Sequence, residues 1–232
     1  MISSGFMHLT YRVSVWVTRL FSINLMWLLV NLPIVFLVFN IFLATKFNDL
    51  FINTITVFIL SPFMLFPSTT AMFGVVRMWI IGEEQFSVFR SFFKLYKENY
   101  KRSLTGGIII VPVWFILVID YVYFSNSNSP LYYLFLVFIM FMFVITLYFF
   151  SNTVHFHLKL WHSLKNSFLL SVGNPGVSIS LTIINGLLIF ISITTFNLLF
   201  FLGLGSIIAY TSFFAFYKGQ PKYKDTENGI RN

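Results

Sequence analysis

The chain contains no cysteine, which removes thiol nucleophiles, disulfide frameworks, Cys-bound zinc and iron–sulfur clusters from consideration. Charge is nearly as scarce. Only 9% of residues are Asp, Glu, Lys or Arg, against about a quarter in a soluble globular domain. Acid is the scarcer sign, with seven Asp and Glu in all, so carboxylate pairs for acid–base catalysis, proton relays or cation pathways have almost no material to draw on. Disorder is excluded by the opposite balance, because 58% of the residues are hydrophobic. No H-E-x-x-H, G-x-x-x-x-G-K-[ST], G-x-S-x-G or G-x-G-x-x-G pattern occurs.

What is abundant is apolar bulk: 32 Phe and a mean hydropathy of +0.85. Such a chain needs hydrocarbon around it, and its uninterrupted apolar runs are long enough to cross a bilayer of about 30 Å. Residues 20–44 carry no ionisable side chain and span roughly 37 Å as a helix. This run exceeds a signal-peptide core and lacks a small-x-small cleavage pattern, so it is expected to stay as an anchor. Residues 50–81 are interrupted by Ser61-Pro62 and Pro67-Ser68, which predicts a bent second crossing. Residues 104–124 and 131–150 form a hairpin around a turn rich in Ser and Asn. Residues 177–217 are about twice one crossing in length and are expected to fold back near Thr195-Phe196-Asn197, giving spans at 177–196 and 198–217.

The expectation is an all-α bundle of six spans forming one domain over residues 1–217, with a polar tail at 218–232. Lysine and arginine distribution supports the count. Arg12, Arg19, Arg77, Arg90, Lys94, Lys97, Lys101, Arg102, Lys159, Lys165, Lys218, Lys222, Lys224 and Arg231 fall on one side, and Lys46 falls on the other with Asp49 and Asp120. The net charge of +8 therefore reads as membrane orientation, not nucleic-acid binding, with both termini in the cytoplasm of a multi-pass plasma-membrane protein.

Two connections on the basic side have helical amphipathic patterns. In residues 83–102, Phe86, Phe89, Phe93, Tyr96 and Tyr100 share one arc while Arg90, Lys94, Lys97 and Lys101 fall beside it. This predicts an interfacial helix among anionic lipid headgroups, with docking of a cytoplasmic partner as the sharper alternative. Residues 155–171 predict a second such helix, with Leu160, Leu164 and Phe168 on one side and His155, Lys159, His162 and Asn166 on the other. The histidines are expected at headgroup level rather than as metal ligands, since no carboxylate lies near them in sequence. No metal or other cofactor is expected.

Polar groups within the spans are the remaining candidates. Asn24 and Asn31 lie two turns apart on one helix face, and Asn31-Leu32-Pro33 should open a local break. Ser68, Thr69 and Thr70 follow Pro67, where a half-helix start could leave amides free. Asn185 joins them as an intramembrane amide. Each can be interhelical glue or the lining of a polar cavity.

Asn24 to Val35 (N-L-M-W-L-L-V-N-L-P-I-V), Pro67-Ser68-Thr69-Thr70-Ala71-Met72-Phe73, Phe89-Arg90-Ser91-Phe92-Phe93-Lys94, Tyr96-Lys97-Glu98-Asn99-Tyr100-Lys101 and Asp120 occur in that order. With this order and spacing, the sequence resembles the YesL-like family of bacterial membrane proteins, a domain-of-unknown-function group (624) found largely in Gram-positive bacteria. The likeness covers about residues 19–217; the stretch between the Leu-Pro and Pro-x-Thr elements is longer than in compact members. The resemblance implies a polytopic plasma-membrane protein, often encoded beside carbohydrate ABC importers, and it brings no catalytic residues. The expected function is a noncatalytic accessory protein partnered with an importer membrane subunit or a cell-envelope assembly. The alternatives are a small-solute transporter using Asn24, Asn31 and residues 68–70, and a membrane enzyme of envelope glycolipids.

Overall fold

The structure, a computed structural model, describes residues 2–83, 86–127, 129–156, 158–194 and 203–219. Every regular element among them is helical: α1 (Ile2–Val30), α2 (Leu32–Leu43), α3 (Phe47–Leu60), α4 (Leu65–Ile80), α5 (Val88–Asn126), α6 (Leu131–His155), α7 (Leu160–Gly173), α8 (Pro175–Thr194) and α9 (Gly205–Lys218). By length and composition Thr10–Val30, Val88–Asn126, Leu131–His155 and Pro175–Thr194 can each cross a bilayer, and the bent pair α3 and α4 makes a fifth candidate. Their outward faces are apolar, with Ile59, Ile116, Val137, Ile183 and Phe190 exposed. This is an integral membrane protein: no aqueous surface would tolerate that display.

Proline placement explains the breaks. Pro33 has no amide to return to the preceding turn, and Asn31 leaves the helical region at φ −93° and ψ 12°, which separates α1 from α2. The expected crossing over residues 20–44 therefore straddles a helix junction. Pro62 stands in the four-residue turn where α3 and α4 meet at a 51° bend. Pro67 causes no second break, because it sits in the first turn of α4, where a missing amide costs nothing. The fold-back near Thr195-Phe196-Asn197 and the start of the span expected at 198–217 lie outside the described residues. Helix α9, about 21 Å long, occupies the end of that span, and the tail beyond Gly219 also lies outside the description.

Helix α4 is the central element. Eleven of its 16 residues are buried, and α5, α6, α9 and α1 pack around it. Phe66, Met72, Phe73, Val75 and Val76 from α4 meet Phe92 and Ile110 of α5, Val144 and Phe149 of α6, and Phe213 of α9 in one core. The α2–α3 pair packs mainly on itself and leans on the bundle through α1 and α5.

Two expectations about surface helices are corrected. Residues 83–102 do not form a separate helix; α5 runs unbroken from Val88 to Asn126, about 58 Å. Its small residues Ser103, Gly106 and Gly107 are buried packing positions rather than a hinge. A Cβ on Gly106 would strike the Phe149 ring, and one on Gly107 would come within 2.8 Å of Pro62 Cα. The second expected amphipathic helix, residues 155–171, is divided: His155 ends α6, and α7 starts at Leu160. On α7 the side that turns inward is a serine stripe, Ser163, Ser167 and Ser171, while Phe168 is half exposed. Small side chains one turn apart let the helix approach α6 closely, and Ser167 accepts a bond from Asn152 of α6.

Candidate functional site

The candidate intramembrane residues divide into separate layers. Asn24 and Asn31 are both buried on α1 and at its junction with α2, facing α4. Asn31 Nδ2 donates to Ser68 Oγ at 2.6 Å and to the Trp27 carbonyl at 2.8 Å, and Trp27 Nε1 donates to Thr69 Oγ1 at 3.0 Å. Ser68 Oγ in turn donates to the Met64 carbonyl at 2.7 Å. Asn24 Oδ1 lies where a side chain on Gly205 would sit, 2.9 Å from its ideal Cβ, so this layer also borders α9. Of the two readings of the turn around Pro67, the row of free amides is not found: Phe66 donates to the Ser61 carbonyl and Ser68 to the Met64 carbonyl.

Thr70 does not join that layer. One residue on from Thr69 is 100° around the helix, which turns Thr70 toward α5, where Ser103 Oγ donates to it at 2.8 Å. Asn185 is separate again. It accepts from Thr211 at 2.9 Å and donates to Ser212 at 3.3 Å, joining α8 to α9. Trp114 of α5 donates to Thr146 of α6 at 3.1 Å, and Asn152 of α6 donates to Ser167 and accepts from Asn166 on α7. Polar clasps thus join α1 to α4, α4 to α5, α5 to α6, α6 to α7 and α8 to α9. Such bonds average about 0.6 kcal/mol each in a membrane, enough in sum to choose one packing among many apolar ones.

The candidate partner surface is reduced by the fold. Phe86 stacks on Trp79 at 6.3 Å, Phe93 is half buried against Phe92, and Phe92 itself is fully buried. Leu95 sits over Gly74 of α4. Of the aromatic arc, Phe86, Phe93 and Tyr96 pack against the protein's own core. What remains outside is Phe89, 58% exposed, with Arg90, Lys94, Lys97 and Lys101 along one ridge. Lys94 reaches Glu98 at 3.9 Å, with both side chains mostly in the open, a pair of little energetic weight.

Residues 20–121 match the family model described as a protein of unknown function, DUF624. The uncharacterized protein YesL of Bacillus subtilis (strain 168) is 29% identical over 205 residues, covering 87% of this chain and 86% of the relative. These matches support a YesL-like family for the chain. A second relative from the same organism, the uncharacterized protein YteU, is 35% identical over 116 residues, 49% of this chain and 52% of its own. Another, the uncharacterized protein YesV, is 33% identical over 63 residues, covering 27% of this chain and 30% of that protein. No solved structure matches. The stretch that matches the YesL-like family model holds the Asn31–Ser68 layer, the bend at Pro62 and the basic ridge of α5.

Sequence reasoning passed over a cluster at the basic end of the bundle. His155 was expected on an exposed interfacial helix; it ends α6 instead, with its ring among Phe156, Phe213, Phe216 and Tyr217. Arg77 lies in the last turn of α4 and Arg102 in α5. Their isolation within otherwise apolar stretches was a readable signal for Arg77. For Arg102 there was none, because it follows a run of ordinary surface lysines. The serine stripe of α7, spaced by four in the sequence, was also readable.

Proposed function

We propose that this YesL-like protein is a noncatalytic accessory subunit of the bacterial plasma membrane that works with a carbohydrate importer or a cell-envelope assembly. In this reading its termini and basic end face the cytoplasm, as the lysine and arginine distribution favours. One observation carries the proposal: the N-terminal turns of α5 bury their aromatic side within the fold, yet keep Phe89, Arg90, Lys94, Lys97 and Lys101 outside as a rigid, cationic ridge. A lipid-anchoring helix would present its rings to the bilayer. A ridge continuous with a long packed helix suits an acidic protein surface, because its side chains are held in register before contact. The buried amides and hydroxyls support the same reading, since they are engaged with each other and not arranged around a reacting centre. The family's association with carbohydrate importers supplies the class of partner.

The test is purification of the tagged full chain in mild detergent from its native host, with and without Lys94→Glu, Lys97→Glu and Lys101→Glu together. The expected result is an importer membrane subunit or envelope component that accompanies the native chain and is lost with the triple variant. Recovery of the native chain free of any such component would overturn the proposal.

A second reading, a small-solute transporter, is favoured by one feature. Asn31 Oδ1 is buried without a hydrogen-bond partner at a helix junction, the kind of place where transporters bind cargo. Sugar or ion flux into liposomes holding the protein alone, reduced by Asn31→Leu without loss of fold, would select this reading over the first.

A further inference from the structure

Two ring or guanidinium nitrogens at the basic end of the bundle are buried with no hydrogen-bond partner: Arg77 Nε and His155 Nδ1. They belong to one neighbourhood, because the Arg77 charge acts directly on the His155 imidazole. A second guanidinium borders it. Arg102 Nη2 donates at 3.0 Å to the carbonyl of Phe156, the residue next to His155. These three side chains come from α4, α6 and α5, so the neighbourhood is made only by tertiary packing.

Charge balance shows what is missing. Arg cannot shed its proton in a protein, so both guanidinium groups stay cationic. Among the described residues the one ion pair is Lys94–Glu98 on the exposed ridge, so no carboxylate of the described chain neutralises Arg77 or Arg102. Helices α4 and α6 both end here, and their carbonyl ends lend about half a negative charge each. That is about one charge against two, and Arg102 already uses one of those carbonyls. A positive remainder, with the Arg77 Nε donor buried and unsatisfied, is costly unless something outside the chain supplies acceptor oxygens.

We propose that Arg77, Arg102 and His155 form a binding site for a phosphate group at the membrane boundary, carried by an anionic lipid headgroup or by a free phosphorylated solute. A guanidinium fork matches two phosphate oxygens. A third oxygen can accept from the imidazole. The surrounding Phe213, Phe216 and Tyr217 rings exclude water from one side and strengthen those bonds. The basic ridge of α5 differs in kind: its lysines are solvated and can attract anions only diffusely.

The test uses the purified, delipidated full chain in neutral detergent. Thermal unfolding and native mass spectrometry are followed with added dioctanoyl phosphatidylglycerol, dioctanoyl phosphatidylcholine or inorganic phosphate. Retention of phosphatidylglycerol with a raised Tm, at concentrations where inorganic phosphate has no effect, assigns the site to a lipid headgroup. A raised Tm with inorganic phosphate assigns it to a soluble phosphate. In either case Arg77→Gln should weaken binding by about tenfold or more, the worth of one charged hydrogen bond, while Lys94→Gln on the ridge leaves it unchanged. Arg77→Lys retains the charge but loses the fork, and should bind more weakly than the native chain; it serves if Arg77→Gln does not fold. No binding of either probe, or equal weakening by Lys94→Gln and Arg77→Gln, would overturn the proposal.

Discussion

The crossing of α5 over the turn between α3 and α4 gives the sharpest prediction. Gly107 of α5 faces the turn between α3 and α4, where a Cβ would lie 2.8 Å from Pro62 Cα and 3.0 Å from Phe66 Cγ. Ordinary carbon contacts sit at about 3.5–4.0 Å, so Gly107→Ala forces α5 away from the turn by roughly 1 Å. The obstacle is backbone and cannot rotate aside. Overpacking of this kind costs about 1–3 kcal/mol, against a gain of up to about 1 kcal/mol from replacing glycine inside a helix. The net expectation is a loss of up to about 2 kcal/mol, which at that limit lowers Tm by roughly 4–8 °C for a chain of this size. Gly186 of α8 is the internal control, because a Cβ there meets nothing within 4 Å. Gly186→Ala should leave Tm unchanged or raise it by a few degrees. Both variants would be compared by thermal unfolding in the same detergent. If Gly107→Ala proves as stable as Gly186→Ala, the close crossing of α5 over Pro62 is wrong.

Further expectations follow from the polar clasps and the proposed orientation. Asn31→Ala and Ser68→Ala should each destabilise the bundle by about 0.6–2 kcal/mol, and the double variant should cost less than their sum, since both remove the same 2.6 Å bond; a double-mutant cycle with additive losses would contradict the pairing. Ser103→Ala should cost about 0.6 kcal/mol by cutting its bond to Thr70, and unchanged unfolding in detergent would count against that clasp. With no native cysteine, Ser127→Cys should react with a membrane-impermeant maleimide on intact cells and Ser87→Cys only after lysis. The reverse labelling would refute the cytoplasmic placement of the basic end.

Hydropathy and proline position made the helical membrane class legible, because solvation by hydrocarbon and the lost proline amide act locally. The bend at Pro62, the junction at Asn31 and the inward-facing asparagines of α1 follow from residues within a few positions of each other. Pairing does not: that Asn31 meets Ser68, that Thr70 meets Ser103 and that Asn185 meets Thr211 depends on which helices become neighbours and at what rotation. The ring-rich arc of residues 86–100 shows the limit. Its pattern specified an apolar face, but the same face suits lipid or protein equally, and only the packing of α5 on α4 decided that Phe92 and Leu95 lie inside. The grouping of Arg77, Arg102 and His155 has the same origin, since the ends of α4 and α6 must meet the flank of α5 before these side chains share a space.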